Sequence, residues 1–157
     1  MRKCLPIATL IVACSAITAC TDQYTICNQT KISNLNSSFR TISNNADVSY
    51  TPASLSMRDL TAGNVLFDQR QGISNVSSNL SLAVDSTSFT LQVAPAMPID
   101  TFTVYYNRSK LLLSLECGEI DVFNINRIST TTYNIDSIRL INPAVTNNYQ
   151  SNLSIYF

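Results

Sequence analysis

An all-β domain, built as a single antiparallel sandwich of immunoglobulin-like or jelly-roll-like type and closed by one disulfide, is predicted by three observations. Apolar and polar residues alternate with a period of two in short runs that recur about every eight to twelve residues. These runs are rich in β-branched and aromatic residues, and beyond the N-terminal leader no window shows apolar residues at 3.6-residue spacing with helix caps. Of five cysteines, two remain to pair once the leader and the cysteine that follows it are set apart.

The chain opens with Arg2 and Lys3 ahead of an apolar run over residues 5–19. That run is shorter than the roughly 20 residues needed to cross a bilayer core, so it reads as a cleaved signal peptide over residues 1–19. Its end, Ile17-Thr18-Ala19-Cys20, resembles the bacterial lipobox: a branched apolar residue, two small ones, then the cysteine that receives lipid. An ordinary signal peptidase prefers a small residue where Ile17 stands. The resemblance implies a diacylglyceryl thioether on Cys20 and an acyl chain on its amine, enough chains to hold the protein at a membrane. Thr21, not aspartate, follows Cys20, so by analogy the destination is the outer membrane. The absence of an acidic run there favours its periplasmic leaflet over the cell surface. Residues 20–26 are then a lipidated cysteine and short tether, and residues 27–157 the sandwich domain.

Removing 19 residues from 157 leaves 138, the size of one domain with a core of its own. The mature chain keeps eight Lys and Arg against ten Asp and Glu, a net charge of −2, with the cations scattered. No basic patch for nucleic acid is present. Cys4 and Cys14 leave with the leader and Cys20 takes lipid, so Cys27 and Cys117 remain in an oxidising compartment. A disulfide is the natural reading and two buried thiols the alternative. With no histidine and two thiols, a zinc site lacks ligands, and no cofactor is expected.

Over residues 31–42 the apolar positions Ile32, Leu35, Phe39 and Ile42 change parity, which suggests a bulge or two short strands. Asn44-Asn45 marks a turn. Leu55 and Met57 share one strand face after Pro52, and Ala62-Gly63-Asn64 turns the chain into Val65-Leu66-Phe67. Leu80, Leu82 and Val84 alternate as a half-buried strand, which a turn at Asp85-Ser86-Thr87 pairs with Phe89, Leu91 and Val93. A second hairpin joins Phe102, Val104 and Tyr106 through a turn at Asn107-Arg108-Ser109-Lys110 to Leu111, Leu113 and Leu115, the strand that delivers Cys117. Strands are also expected over residues 120–128, 138–141 and 153–157. A transmembrane barrel is the structural rival, but its strands need about 9 to 11 residues and most runs here are shorter.

Ser114-Leu115-Glu116-Cys117-Gly118, Tyr133-Asn134-Ile135-Asp136-Ser137-Ile138 with Asn142 and Val145, and Asn152-Leu153-Ser154-Ile155-Tyr156-Phe157 resemble an uncharacterised family of small β-rich bacterial lipoproteins, a domain of unknown function. The resemblance covers residues 111–157 and the early Cys27. It implies the lipid anchor and the Cys27–Cys117 pairing, and nothing catalytic.

Without histidine neither a Ser-His-Asp nor a Cys-His arrangement can be built, and no phosphate-cradling Gly-rich loop or EF-hand loop occurs. The carboxylate cluster Glu116, Glu119 and Asp121 leaves one acid-base candidate. Glu119 and Asp121 fall on one strand face about 7 Å apart, a separation compatible with an inverting glycosidase. A solvated strand end is the simpler reading. Tyr105 and Tyr156 lie on the parity opposite to the apolar residues of their strands, and outward-facing rings of this kind can stack on sugars. Asp85-Ser86-Thr87 and Asp136-Ser137-Ile138 resemble an O-glycan acceptor pattern. The expectation is therefore a non-catalytic, outer-membrane-tethered binding or envelope-structural domain, whose partners are the membrane and another envelope protein or glycan. The alternatives are a glycan- or lipid-acting enzyme using Glu119 and Asp121, or a carbohydrate-binding module.

Overall fold

The computed structural model describes residues 27–157, so Cys20, the expected signal peptide over residues 1–19 and the expected tether over residues 20–26 lie outside the described residues. Among the described residues eleven strands form two sheets. In the first, β1 (Asn34–Ser43) pairs along one edge with β5 (Asn75–Asn79) over its first half and β2 (Ala46–Ser49) over its second. Its other edge takes β11 (Leu153–Tyr156), which pairs in turn with β9 (Ser137–Leu140). The second sheet runs β10 (Ala144–Val145), β8 (Gly118–Thr130), β7 (Asp100–Ser114), β6 (Ser86–Gln92), β3 (Leu55–Asp59) and β4 (Asn64–Arg70). The strands pair antiparallel except for β1 and β11, which run parallel and carry the start and the end of the domain side by side.

One core lies between the sheets. Leu35, Phe39, Val76, Leu153 and Ile155 enter it from the first sheet, and Met57, Phe89, Phe102, Val104 and Tyr106 are among those from the second. Phe89 and Phe102 face one another across β6 and β7 with ring centroids 5.2 Å apart, the kind of cross-strand aromatic pair that favours one register. The parity change read over residues 31–42 comes neither from a bulge nor from two strands. β1 is continuous, its inward positions are Leu35, Ser37 and Phe39, and Ile32 and Ile42 are exposed. A bulge falls instead in β8, where Tyr105 pairs with Arg127 and Tyr106 with Ile125, and the register also shifts between β3 and β4. The extra residue, Asn126, brings Ile125 and Ile128 onto the same face.

An expected strand and two expected turns are corrected, Ser86 and Thr87 being the first residues of β6 and not part of a turn. β5 ends at Asn79, and the Leu80–Leu82–Val84 alternation continues into an irregular loop in which Leu80 is buried while Leu82 and Val84 are exposed. Asn107-Arg108-Ser109-Lys110 is no turn: β7 runs through it to Ser114, and the chain reverses over residues 115–117, next to Gly118 with its positive φ of 74°. The turn at Asn44-Asn45 stands as read, with φ values of 52° and 61°, the left-handed pair that a two-residue hairpin turn requires.

The resulting hairpin of β7 and β8 outlasts the rest of its sheet. β6 pairs with β7 over Asp100 to Tyr105 only, and β7 continues for roughly 25 Å of strand beyond that point. At the far end of the hairpin Cys117 is joined to Cys27, with Cα atoms 4.9 Å apart. The N-terminal segment climbs back from there towards β1: Ser33 Oγ donates to the Asp121 carbonyl at 2.6 Å and Asn147 Nδ2 to the Thr30 carbonyl at 2.9 Å. Domain entry, disulfide, hairpin tip and the 80–85 and 141–152 loops thus share one end of the sandwich, called the tether end below after the tether that the sequence leads one to expect over residues 20–26.

Candidate functional site

A concavity among the described residues opens at the tether end. It has a volume of about 620 Å³, within the usual range of small-molecule sites. Leu66, Leu80 and Phe123 supply buried or half-buried apolar surface, Ile32 and Leu82 stand exposed at its edge, and Lys31, Asn64 and Asn79 add polar groups. Its walls come from four places in the chain: the segment entering β1, the β3–β4 turn, the loop after β5 and the lower part of β8.

Each wall is fixed by side-chain hydrogen bonds. Asp59 Oδ1 accepts from the amides of Thr61 and Ala62 at 2.8 and 3.0 Å, so this carboxylate builds the β3–β4 turn. The 81–85 loop is gathered by Tyr106, whose hydroxyl bonds to Thr87 Oγ1 at 2.8 Å and reaches the carbonyls of Ser81 at 2.9 Å and Val84 at 3.2 Å. Burial raises the phenol pKa above its ordinary value, partly offset by the Thr87 hydrogen bond, so the group stays a protonated donor at neutral pH. Arg108 adds an ion pair to Asp85 at 2.8 Å and a hydrogen bond to the Leu82 carbonyl. Tyr106→Phe is expected to lower stability by about 1 to 2 kcal/mol, since it leaves buried acceptors without a donor. Faster amide exchange at Ser81 and Val84 than in β7 would show that the loss is concentrated in this wall.

Of the expected acid-base pair, Asp121 is half-buried on the groove and bound to Lys110 Nζ at 2.7 Å, while Glu119 is exposed nearer the hairpin tip. Among the described residues no group of three or more His, Cys, Asp or Glu is placed to hold a metal ion. The expected outward tyrosines are both covered. Tyr105 is half-buried beneath the Arg127 guanidinium, 4.0 Å from the ring centroid. Tyr156 is 5% exposed, its ring under Arg139 at 4.7 Å and its hydroxyl donated to Asp47 Oδ2 at 2.8 Å. That hydrogen bond raises the Tyr156 pKa and, with Arg40, lowers that of Asp47. Of the glycan-type serines, Ser86 is half-buried and Ser137 exposed.

The C-terminal strand motifs fall inside a match that places the chain. It belongs to DUF6452, a family of unknown function. The match covers residues 54–157, from β3 to the end of β11, and so reaches well upstream of the C-terminal motifs that suggest the kinship in the sequence. Neither a curated protein nor a solved structure matches the chain. Cys117, Tyr106, Thr87 and the β3–β4 turn fall within the DUF6452 match, whereas β1, β2 and Cys27 precede it. The groove therefore joins a family-matched wall to one supplied by the N-terminal segment. Its position was hidden in the sequence because no single stretch carries it; the nearest signal is the excess of apolar residues over residues 80–84.

Proposed function

We propose that the protein is an outer-membrane lipoprotein, anchored through Cys20 and facing the periplasm, whose sandwich is a non-catalytic binding module with the tether-end groove as its binding site. The anchor rests on Ile17-Thr18-Ala19-Cys20 and the short apolar leader before it. The binding role rests on one observation above the others: a groove of about 620 Å³ with an apolar floor, whose carboxylates are already engaged. Asp59 serves the β3–β4 turn and Asp121 serves Lys110. What remains open to a ligand is apolar surface from Leu66, Leu80, Leu82 and Phe123, with Lys31 at the edge, which suits an amphipathic molecule carrying an apolar segment. The enzymatic alternative is less well supported, because Asp121 on the groove is engaged by Lys110 at 2.7 Å while Glu119 lies off the groove, exposed nearer the hairpin tip.

The test uses full-length protein purified from envelopes, with native mass spectrometry for retained ligand and a turnover screen against envelope glycans and lipids. We expect an N-terminal Cys20 bearing acyl chains and a retained amphipathic ligand that Ala83→Trp, which fills the groove from an exposed position, displaces. An unmodified N-terminus at any other residue overturns the anchor. Turnover abolished by Glu119→Gln or Asp121→Asn overturns the binding-module reading.

A further inference from the structure

The tether end is also where the exposed apolar side chains gather. Leu115 is 90% exposed at the turn of the β7–β8 hairpin, with Leu112 at 56% and Leu111 beside it. Ile32, Leu82 and Ile141 are exposed at the same end, as is Tyr149, whose hydroxyl shares a hydrogen bond of 3.5 Å with Thr30 Oγ1. Lys110 pairs with Asp121 and Arg108 with Asp85, while Glu116 and Glu119 stand exposed beside the leucines. A protruding hairpin tip with three exposed leucines is unusual on a soluble surface, and it marks a place that something apolar covers.

The chain itself points to the occupant. Leu115 lies two residues from Cys117, and Cys117 is bonded to Cys27. Only six residues separate Cys27 from Cys20, so even a fully extended tether holds the tip within about 25 Å of the lipid-bearing cysteine. We infer that the β7–β8 tip docks on the bilayer that receives the Cys20 acyl chains, with Leu111, Leu112 and Leu115 entering the headgroup–acyl boundary. This inference rests on the lipid-anchor reading given above. It adds a second, protein-borne contact that fixes which end of the sandwich meets the membrane. Tyr149, amphipathic and on the same end, suits the headgroup level. The groove then opens next to the lipid surface, where an amphipathic ligand passes between bilayer and protein.

The chain contains no tryptophan, so a single introduced indole reports its own surroundings. Full-length Leu115→Trp protein is reconstituted into phosphatidylethanolamine–phosphatidylglycerol vesicles with brominated acyl chains, and Tyr133→Trp, exposed in the loop at the opposite end, serves as the control. Blue-shifted emission that is largely quenched for Leu115→Trp, with unquenched emission for Tyr133→Trp, is the expected result. If the protein floats with the vesicles but the Leu115→Trp signal is unquenched and red, the docked tip is overturned while the anchor stands. Blue-shifted but unquenched emission means that protein, such as a second copy, covers the tip, and it also overturns the proposal. Failure to float with the vesicles brings down anchor and docked tip together.

Discussion

Asp100→Ala is expected to destabilise the protein by about 3 kcal/mol or more, because it removes one acceptor from several buried donors. Asp100 is fully buried at the start of β7, opposite Leu91 of β6. Its Oδ1 accepts from Thr131 Oγ1 at 2.7 Å and the Tyr133 amide at 2.8 Å, and its Oδ2 from the amides of Asn134 at 2.7 Å and Ile135 at 3.2 Å. The carboxylate therefore folds the 131–135 segment that carries the chain from the second sheet to the first and sets the fully buried Ile135 in the core. Burial by itself raises the carboxyl pKa, but the hydrogen bonds from Tyr133, Thr131, Asn134 and Ile135 outweigh it and hold the pKa below its ordinary value.

The sign of the pH dependence follows. A carboxyl whose folded pKa lies below its unfolded value of about 3.9 stabilises the fold fully above that value and loses the contribution as pH falls through the folded pKa. Urea unfolding midpoints should be flat in this respect from neutrality to about pH 5 and then fall more steeply for the native protein than for Asp100→Asn. Asp47 is lowered too, so both proteins keep some acid sensitivity and the difference between them isolates Asp100. Parallel acid limbs would show that the carboxylate charge does not matter to the fold.

How far the sequence reveals this structure depends on whether a strand owes its pattern to its own residues or to distant partners. Phe89 and Leu91, Phe102, Val104 and Tyr106, and Leu153 and Ile155 bury apolar residues on every second position, and the alternation marks them as strands. β5 escapes such a reading because Val76 is its one inward apolar residue and Ser78 fills the other inward position. Residues 80–84 show the reverse: the alternation is good, but Tyr106, Thr87 and Arg108 capture the backbone polar groups of this stretch and divert it from the sheet. Asn107 to Lys110 read as a turn by composition, yet Arg108 and Lys110 find Asp85 and Asp121 across space, and a polar strand becomes tolerable. The disulfide was legible because elimination left two cysteines. The groove was not, since it assembles segments from opposite parts of the chain.

Breaking that disulfide is the other large effect expected. The bond joins residues 90 apart, and in the chain-entropy model a loop of this length contributes about 4 to 5 kcal/mol by restricting the unfolded chain. The enclosed loop runs from the domain entry to the hairpin tip and includes β1, which lies at the middle of the first sheet and pairs with β2, β5 and β11. Once the bond is gone, the entering segment keeps only polar links such as Ser33 to Asp121 and Thr30 to Asn147. The Cys27→Ser, Cys117→Ser double variant and the reduced native protein should therefore show the same lowered urea midpoint. Amide exchange should rise over residues 28–33 and at the hairpin tip, and the m-value should increase because the unfolded state exposes more surface. The core strands β6 and β7 should stay protected until global unfolding, since their hydrophobic contacts do not involve the bridge. An unchanged midpoint would mean that the N-terminal segment is held without the bridge and that the disulfide adds nothing to the stability of the fold.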